Sequence, residues 1–230
     1  MAAEPLELRP ALVFDLDGTL VDSVYQHVLA WRRALEAAGI ELSVWRIHRK
    51  IGMSGGLFAN ALLRETGREI KPGEVERLQA LHGRFYAEQI DQVRALPGAH
   101  DLLVRLNEAG IPWAIATSGS RAGAEPVIRL LDVDPPVVVT RDEVPFAKPD
   151  PHLFLTAARR LGVDIQQAIV VGDSIWDMLA AQRARAIGVG LLSGGYGAEE
   201  LERAGSFRVY QDPADLDRHL DELGIRMTPA

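Results

Sequence analysis

The chain has 230 residues, of which 47% are hydrophobic and 25% are charged. At roughly 150 residues per domain, this length allows one large domain or two small ones, and the composition is that of a globular protein. Twenty-five lysines and arginines against 32 aspartates and glutamates give a net charge of −7, which argues against a nucleic-acid partner.

Sequence features exclude several other classes of protein. No apolar run approaches the roughly 18 residues that a membrane helix needs, so we expect no membrane partner. The N-terminal segment lacks a basic start, and we expect no secretory signal. The sequence contains no cysteine, which rules out disulfides, cysteine-ligated metal sites and cysteine nucleophiles and fits a cytoplasmic protein.

Short apolar runs rich in Val, Ile and Ala predict six buried strands. In chain order they are Ala11–Leu16, Trp113–Ser118, Pro136–Thr140, Ala168–Asp173, Ile187–Leu192 and the weaker Phe207–Gln211. Helical patterns lie between them, at about 98–109, 121–131, 151–161, 175–185 and 213–223. Alternating strands and helices predict an α/β fold, a Rossmann-like parallel sheet covered by helices on both faces.

One connection is far longer than the others. The segment between the first two strands carries helical patterns at about 23–39, 43–50, 57–66 and 73–91. It is too long to be a crossover loop, so we predict a second, all-helical domain inserted into the sheet domain. The predicted division assigns residues 22–94 to the inserted domain and residues 1–21 and 95–230 to the sheet domain.

Acidic residues follow two of the predicted strands. Asp15 and Asp17 end the first strand and point to one side of it, and Asp173 ends the fourth, with Asp177 four residues later. The carboxyl ends of parallel strands form the ligand crevice of such sheets. Adjacent carboxylates there need a cation, or one must hold a proton, and oxygen ligands suit Mg²⁺. Asp177 also fits a simpler role in the first turn of a helix.

Hydroxyl groups and a lysine are predicted at the same edge. Thr117, Ser118 and Gly119 end the second strand, where hydroxyls and backbone N–H groups can bind an anion, although such residues are more often helix caps. Lys148 precedes Pro149, which restricts its backbone. A lysine held in this way can supply a fixed positive charge.

Together these residues resemble the motifs of the haloacid dehalogenase (HAD) superfamily. The segment Asp15–Thr19 is similar to its first motif, Thr117 to the second, Lys148 to the third, and Asp173 with Asp177 to the fourth. The helical insertion resembles the C1 cap of the branch that contains phosphoglycolate phosphatase and β-phosphoglucomutase.

The resemblance implies a Mg²⁺-dependent phosphatase that acts on a small phosphorylated metabolite. Asp15 would attack phosphorus and form an aspartyl-phosphate, and Asp17 would protonate the leaving oxygen and then activate water. A neighbouring acid makes the protonated form of Asp17 easier to hold. The metal ligands would be the carboxylates of Asp15 and Asp173 and the backbone carbonyl of Asp17, with Asp177 as a ligand or a support.

The other motif residues would contact the transferring phosphoryl group. Thr117, Lys148 and nearby N–H groups, including that of Gly119, would stabilise its charge. Ser118 stands where many relatives have Asn. This departure leaves open whether Thr117 or Ser118 supplies the main hydroxyl.

Candidate substrate-binding residues also lie in the cap. Arg49 and Lys50 precede the glycine-containing segment Ile51–Gly56 and could meet an anionic leaving group, but a solvated basic turn explains them equally well. His27 and Trp31 resemble a His and a Trp at matching offsets in β-phosphoglucomutase. The same two residues also fit a buried helical face.

Alternative functions remain open at this point. A sugar-phosphate mutase is suggested by His27 and Trp31. A non-catalytic binding protein on the same fold would be expected to lose motif acids, and none is missing. A dehalogenase proper is disfavoured, because it uses neither the second acid of the first motif nor Mg²⁺. The substrate is not specified, and the chain is expected to be a monomer or a homodimer.

Overall fold

The computed structural model describes residues 10–67 and 71–226. Its strands are β1 (Ala11–Phe14), β2 (Val21–Asp22), β3 (Arg94–Ala95), β4 (Trp113–Ala116), β5 (Val138–Val139), β6 (Ala168–Gly172), β7 (Ile187–Leu191) and β8 (Ser206–Tyr210). Its α-helices are α1 (Val24–Ala37), α2 (Val44–His48), α3 (Gly55–Glu65), α4 (Glu74–Ala87), α5 (Ala99–Glu108), α6 (Arg121–Ile128), α7 (His152–Leu161), α8 (Ile175–Ala184), α9 (Ala198–Arg203) and α10 (Pro213–Arg218). Within these two ranges, every helix falls short of the length and apolar character required to cross a bilayer.

Six strands form one parallel sheet in the order β5–β4–β1–β6–β7–β8. Strand β1 lies inside the sheet, with Leu12 paired to Trp113 of β4 on one side and to Ile169 of β6 on the other. This order brings the carboxyl ends of β4, β1 and β6 side by side, and those ends carry the motif residues.

Helices cover both faces of the sheet. Leu12 and Phe14 belong to an apolar cluster with Leu102 of α5, whereas Val13 belongs to another with Phe154 of α7. Side chains on both faces of β1 are therefore buried, which is why its sequence is a continuous run of apolar residues. The predicted parallel α/β core is confirmed.

Some predicted elements differ in length. Strand β5 has two residues where five were expected: Pro136 has no N–H to donate to a neighbouring strand, and the N–H of Thr140 donates to Oε2 of Glu143. The last predicted helix ends at Arg218 and continues as a 3-10 turn over Leu220–Leu223. Helix α9 is absent from the sequence-based prediction, since six residues show too little of a helical period.

Helices α1 to α4 lie between β1 and β4 and have an apolar cluster of their own. Its buried members include Val28, Trp31, Phe58, Leu62 and Leu78. The predicted all-helical insertion is therefore present.

The two connections between the sheet domain and the helical insertion pair with each other, which the sequence analysis did not predict. Strands β2 and β3 pair antiparallel, with Val21 opposite Ala95, and hold the two connections side by side. The division of the chain at residues 22–94 stays a prediction.

Candidate active site

Three acidic side chains from neighbouring strands meet at the carboxyl edge of the sheet. Asp15 follows β1, whereas Asp173 and Asp177 follow β6. Phe14, directly before Asp15, pairs with Val171, two residues before Asp173. Each offers a carboxylate oxygen within 4.8 Å of the others, and all three side chains are buried. The structure thus brings together three of the four acids that the sequence analysis singled out.

The ammonium group of Lys148 lies within this acidic cluster. The side chain is 0% exposed and forms ion pairs with Asp15 and with Asp177, the latter at 2.8 Å between Nζ and Oδ1. Burial by itself lowers the pKa of Lys148, but the carboxylates of Asp15 and Asp177 outweigh it and raise the pKa above its ordinary value. Lys148 therefore stays charged and balances only part of the negative charge around it.

Burial and the negative charge that Lys148 does not balance affect the pKa values of two carboxyl groups. Burial raises the pKa of Asp15 to about 7, with a contribution from Asp177 and opposed by Lys148. Burial, Asp177 and Asp15 also raise the pKa of Asp173 well above its ordinary value, again opposed by Lys148. A divalent cation would remove this imbalance, because it favours the ionised form of both groups.

The surroundings of Asp173 also fit a metal site. The hydroxyl of Thr19 donates to its Oδ1 at 3.1 Å and orients the carboxylate. A Cβ atom at Gly194 would lie 1.7 Å from Oδ2, and one at Gly18 would lie 2.6 Å from it, so glycine is required at both positions. Oriented carboxylate oxygens with no nitrogen or sulfur donor are a set that suits Mg²⁺.

Asp177 has two roles. One is the expected role in the first turn of α8, and the other is a contact with Lys148. Its Oδ2 accepts from the backbone N–H of Ser174 at 3.1 Å and from the Ser174 hydroxyl, which caps α8. Its Oδ1 faces Lys148. Both oxygens therefore have protein partners, and the residue ties the helix N-terminus to the lysine.

The side chain of Asp17 faces α1 instead of joining the cluster. Its Oδ1 accepts from the Ser23 hydroxyl at 2.6 Å and lies 3.1 Å from Nε2 of His27. Burial raises the pKa of Asp17, but His27 and Ser23 outweigh it and hold the pKa below its ordinary value. The expectation that a neighbouring acid keeps Asp17 protonated is therefore wrong, because the groups that contact it stabilise the anion.

A second histidine, absent from the sequence-based candidates, stands behind His27. Nε2 of His82 lies 3.0 Å from Nδ1 of His27, and the His82 ring stacks on Trp31 with centroids 4.2 Å apart. His27 itself stacks on Tyr86 at 3.9 Å. His82 and Tyr86 share one face of α4, four residues apart, which was the signal available in the sequence.

The two hydroxyl candidates at the end of β4 have different hydrogen-bond partners. The Ser118 hydroxyl donates to the backbone carbonyl of Gly52 at 2.9 Å. Oγ1 of Thr117 instead accepts from the N–H of Gly119 at 3.0 Å, so its own hydrogen can be donated to a ligand. The arrangement favours Thr117 as the donor at this edge.

A cavity of about 630 Å³ lies between the sheet edge and the helical insertion. Its core side includes Asp15, Asp17, Thr117, Ser118 and Gly119. Its cap side includes His27, Trp31, Ile51, Met53, Phe58, Gln79, His82 and Tyr86. Trp31 is thus both a buried residue of the cap and part of the cavity wall. It is therefore compatible with a buried helical face and with a position next to the substrate.

The structure does not place Arg49 and Lys50 among the residues that line this cavity. Arg49 pairs with Glu200 and lies over the ring of Tyr196, 4.3 Å from its centroid. Lys50 pairs with Glu65. Both cations are thus paired with carboxylates outside the cavity, and their contact with an anionic leaving group stays a prediction.

A parallel sheet with buried acids and a buried lysine at its central strand ends, beneath a helical cap, defines a HAD-type α/β hydrolase. A family model described as "haloacid dehalogenase-like hydrolase" matches residues 10–185, and the chain belongs to this family.

Similar proteins have related descriptions. The chain is 36% identical to hexitol phosphatase A of Escherichia coli (strain K12), over 70% of this chain and 73% of that protein. It is 33% identical to phosphoglycolate phosphatase of the same strain, over 93% and 92%. A crystal structure of a hydrolase from Pseudomonas syringae matches with a TM-score of 0.91 and 54% identity, over 93% of this chain and 99% of that one.

Proposed function

We propose that the chain is a Mg²⁺-dependent phosphatase that hydrolyses a small phosphorylated metabolite through an aspartyl-phosphate on Asp15. The observation that carries the proposal is the buried cluster of Asp15, Asp173, Asp177 and Lys148 at one end of the cavity. Relatives named as phosphatases support it. Location in the cytoplasm and a monomeric or homodimeric state remain expectations from the sequence.

The chain's own residues account for each bond change. A carboxylate oxygen of Asp15 attacks phosphorus as the ester bond breaks, and Asp17 gives a proton to the leaving oxygen. Because His27 and Ser23 hold the pKa of Asp17 below its ordinary value, its proton must be supplied, and His27 carrying protons on both ring nitrogens can give one from Nε2, 3.1 Å away, and recover it when Asp17 has deprotonated the water. Asp17 then takes a proton from the water that attacks the aspartyl-phosphate. Lys148 and the Thr117 hydroxyl stabilise phosphoryl charge.

The carboxylates of Asp15 and Asp173 would hold Mg²⁺ together with the backbone carbonyl of Asp17. When bound, the ion supplies positive charge at the phosphoryl oxygens. Asp177 supports the site by holding Lys148 and Ser174 and remains a candidate further ligand.

A sugar-phosphate mutase is the second candidate, favoured by the contact between His27 and Asp17. A mutase of this kind must also bind a doubly phosphorylated sugar, and a second phosphate requires cations. Among the described residues, the cap side of the cavity contains no lysine or arginine. The phosphatase is therefore preferred. Release of inorganic phosphate with no isomerised sugar phosphate would support this choice, and the reverse would favour the mutase.

Stabilisation by Mg²⁺ is expected to increase with pH. The protein groups alone raise the pKa of Asp15 from 3.8 to about 7, so the folded protein keeps a proton there that the unfolded chain releases. Its contribution to stability is present below pH 3.8 and is lost as pH rises through about 7. Mg²⁺ must displace this proton. The increase in Tm that Mg²⁺ causes should therefore be larger at about pH 8 than at about pH 5.5. Equal increases would contradict the proposed ligand role.

His82→Leu should affect esters with poor leaving groups most. To give Nε2–H to Asp17, His27 must carry protons on both ring nitrogens, and its Nδ1–H then donates to Nε2 of His82, so His82 orients the protonated ring that serves Asp17. We expect kcat/KM to fall about tenfold for alkyl phosphates and less than about threefold for p-nitrophenyl phosphate, whose leaving group needs no proton. Equal losses for both would indicate a structural role alone.

A further inference from the structure

We propose that the cavity selects phosphate esters whose leaving group is uncharged and hydroxylated, of the polyol or sugar class, and rejects leaving groups that carry a carboxylate. The proposal rests on the proposed phosphatase function and specifies its substrate class. It follows from the charges, the ring surfaces and the hydrogen-bonding groups of the cavity wall.

The charged side chains on the wall are mainly acidic. Among the described residues, the wall includes the carboxylates of Asp15, Asp17 and Asp142 and one guanidinium, that of Arg141. Arg141 lies on the core side and is adjacent to Asp142 in sequence. Asp15 and Asp17 act on the phosphoryl group, so the rest of the described wall has one carboxylate and one guanidinium and offers a second anion no excess of positive charge.

The cations of the cap are engaged away from the cavity. Arg49 pairs with Glu200 and Lys50 with Glu65, although both precede the wall segment that begins at Ile51. These two residues are the nearest basic groups in sequence to that segment, so their pairing leaves it without a cation of its own.

Arginines of helices α1 and α4 are also engaged by a carboxylate. Arg33 of α1 and Arg84 of α4 both lie near Glu88, at 2.8 and 3.6 Å. Among the described residues, the cap side of the cavity thus has no lysine, arginine or carboxylate, and its His27 contacts Asp17.

Aromatic side chains form much of this neutral wall. Trp31 stacks on Phe58 and on His82, with centroids 4.3 and 4.2 Å away, and His27 stacks on Tyr86. These rings pack against one another, so they line the cavity without adding a cation for a carboxylate. A volume of about 630 Å³ also exceeds what a two-carbon leaving group needs and falls within the range of about 300–1,000 Å³ of ordinary ligand sites.

Neutral polar groups complete the wall. The amide of Gln79 can bind hydroxyl groups, and His82 adds an imidazole. Burial and the neighbouring His27 lower the pKa of His82 well below its ordinary value, so His82 offers no charge to an anion. Few polar groups among rings are what a site for a hydroxylated, uncharged molecule requires.

The test compares esters that differ only in a carboxylate. One pair is 2-hydroxyethyl phosphate and 2-phosphoglycolate, and the other is glucitol 6-phosphate and 6-phosphogluconate. With Mg²⁺ present, we expect kcat/KM to favour the neutral member by at least about tenfold in both pairs. A smaller ratio in either pair, or hydrolysis of neither pair, overturns the proposal.

Charge variants at Gln79 test the cause of the preference. Gln79→Arg should lower the neutral-to-acid ratio at least about threefold, and Gln79→Glu should raise it, with Gln79→Met as the uncharged control. Because each ratio is measured on one protein sample, partial unfolding cancels. Equal ratios in the Arg, Glu and Met variants would overturn the proposal.

Hydrolysis of p-nitrophenyl phosphate distinguishes a wrong substrate class from a wrong phosphatase function. If that ester is hydrolysed with Mg²⁺ but the neutral members are not preferred, the substrate class is wrong and the phosphatase stands. If no ester is hydrolysed, the phosphatase itself is wrong, and the substrate class falls with it.

Discussion

Asp15→Asn should reduce kcat for every phosphate ester by at least about a thousandfold while the protein remains folded. An amide is a poor nucleophile, so the aspartyl-phosphate cannot form at a useful rate. Stability should not fall, because the substitution removes one of three buried acids and leaves the ion pair between Lys148 and Asp177 intact. Phosphate release and thermal unfolding measure the two effects.

A matched variant controls for the loss of an aspartate. Asp101→Asn changes an exposed residue in the first turn of α5 and should keep both activity and Tm close to those of the parent. If Asp15→Asn retains activity within a few-fold of the parent, Asp15 is not the nucleophile.

Lys148→Met should damage both stability and activity. It leaves Asp15 and Asp177 buried without their ammonium partner, and breaking a buried ion pair costs about 3–5 kcal/mol. Turnover should fall at least about a hundredfold for all substrates alike, because Lys148 acts on the phosphoryl group that they share. Denaturant unfolding and a substrate panel are the measurements. A loss confined to some substrates would contradict this role.

Arg49→Ala is the contrasting variant. The side chains of Arg49 and Glu200 are 35% and 40% exposed, and such surface pairs contribute about 0–1 kcal/mol. Because Arg49 does not line the cavity, the order of preferred substrates should stay that of the parent. A changed order would show that this cation reaches the substrate after all.

The core of the site follows from the sequence for a simple physical reason. Strands buried on both faces read as apolar runs, and in a parallel sheet their carboxyl ends lie at one edge. Asp15, Thr117 and Asp173 each end such a run, so their convergence could be predicted without knowing any contact. Lys148 was recognised through its resemblance to a family motif, and the structure buries it among the acids.

Contacts between distant segments could not be obtained in this way. Helical periodicity shows that one face of α4 is buried, but it does not show that His82 on that face meets His27 of α1. The glycine beside Asp173, Gly194, lies beyond β7 and has no local signal of its purpose. In each case the partner comes from another element.

Charge was the property that the sequence determined least. Arg49 and Lys50 belong to a basic run, yet Glu200 and Glu65, far along the chain or on another helix, decide where those cations lie. The sequence by itself determined the sheet, the helical insertion and the acids at the strand ends, because these depend on local apolar patterns. Only the tertiary structure decided which charges face the cavity, because an ion pair depends on the distance between atoms and not on their separation along the chain.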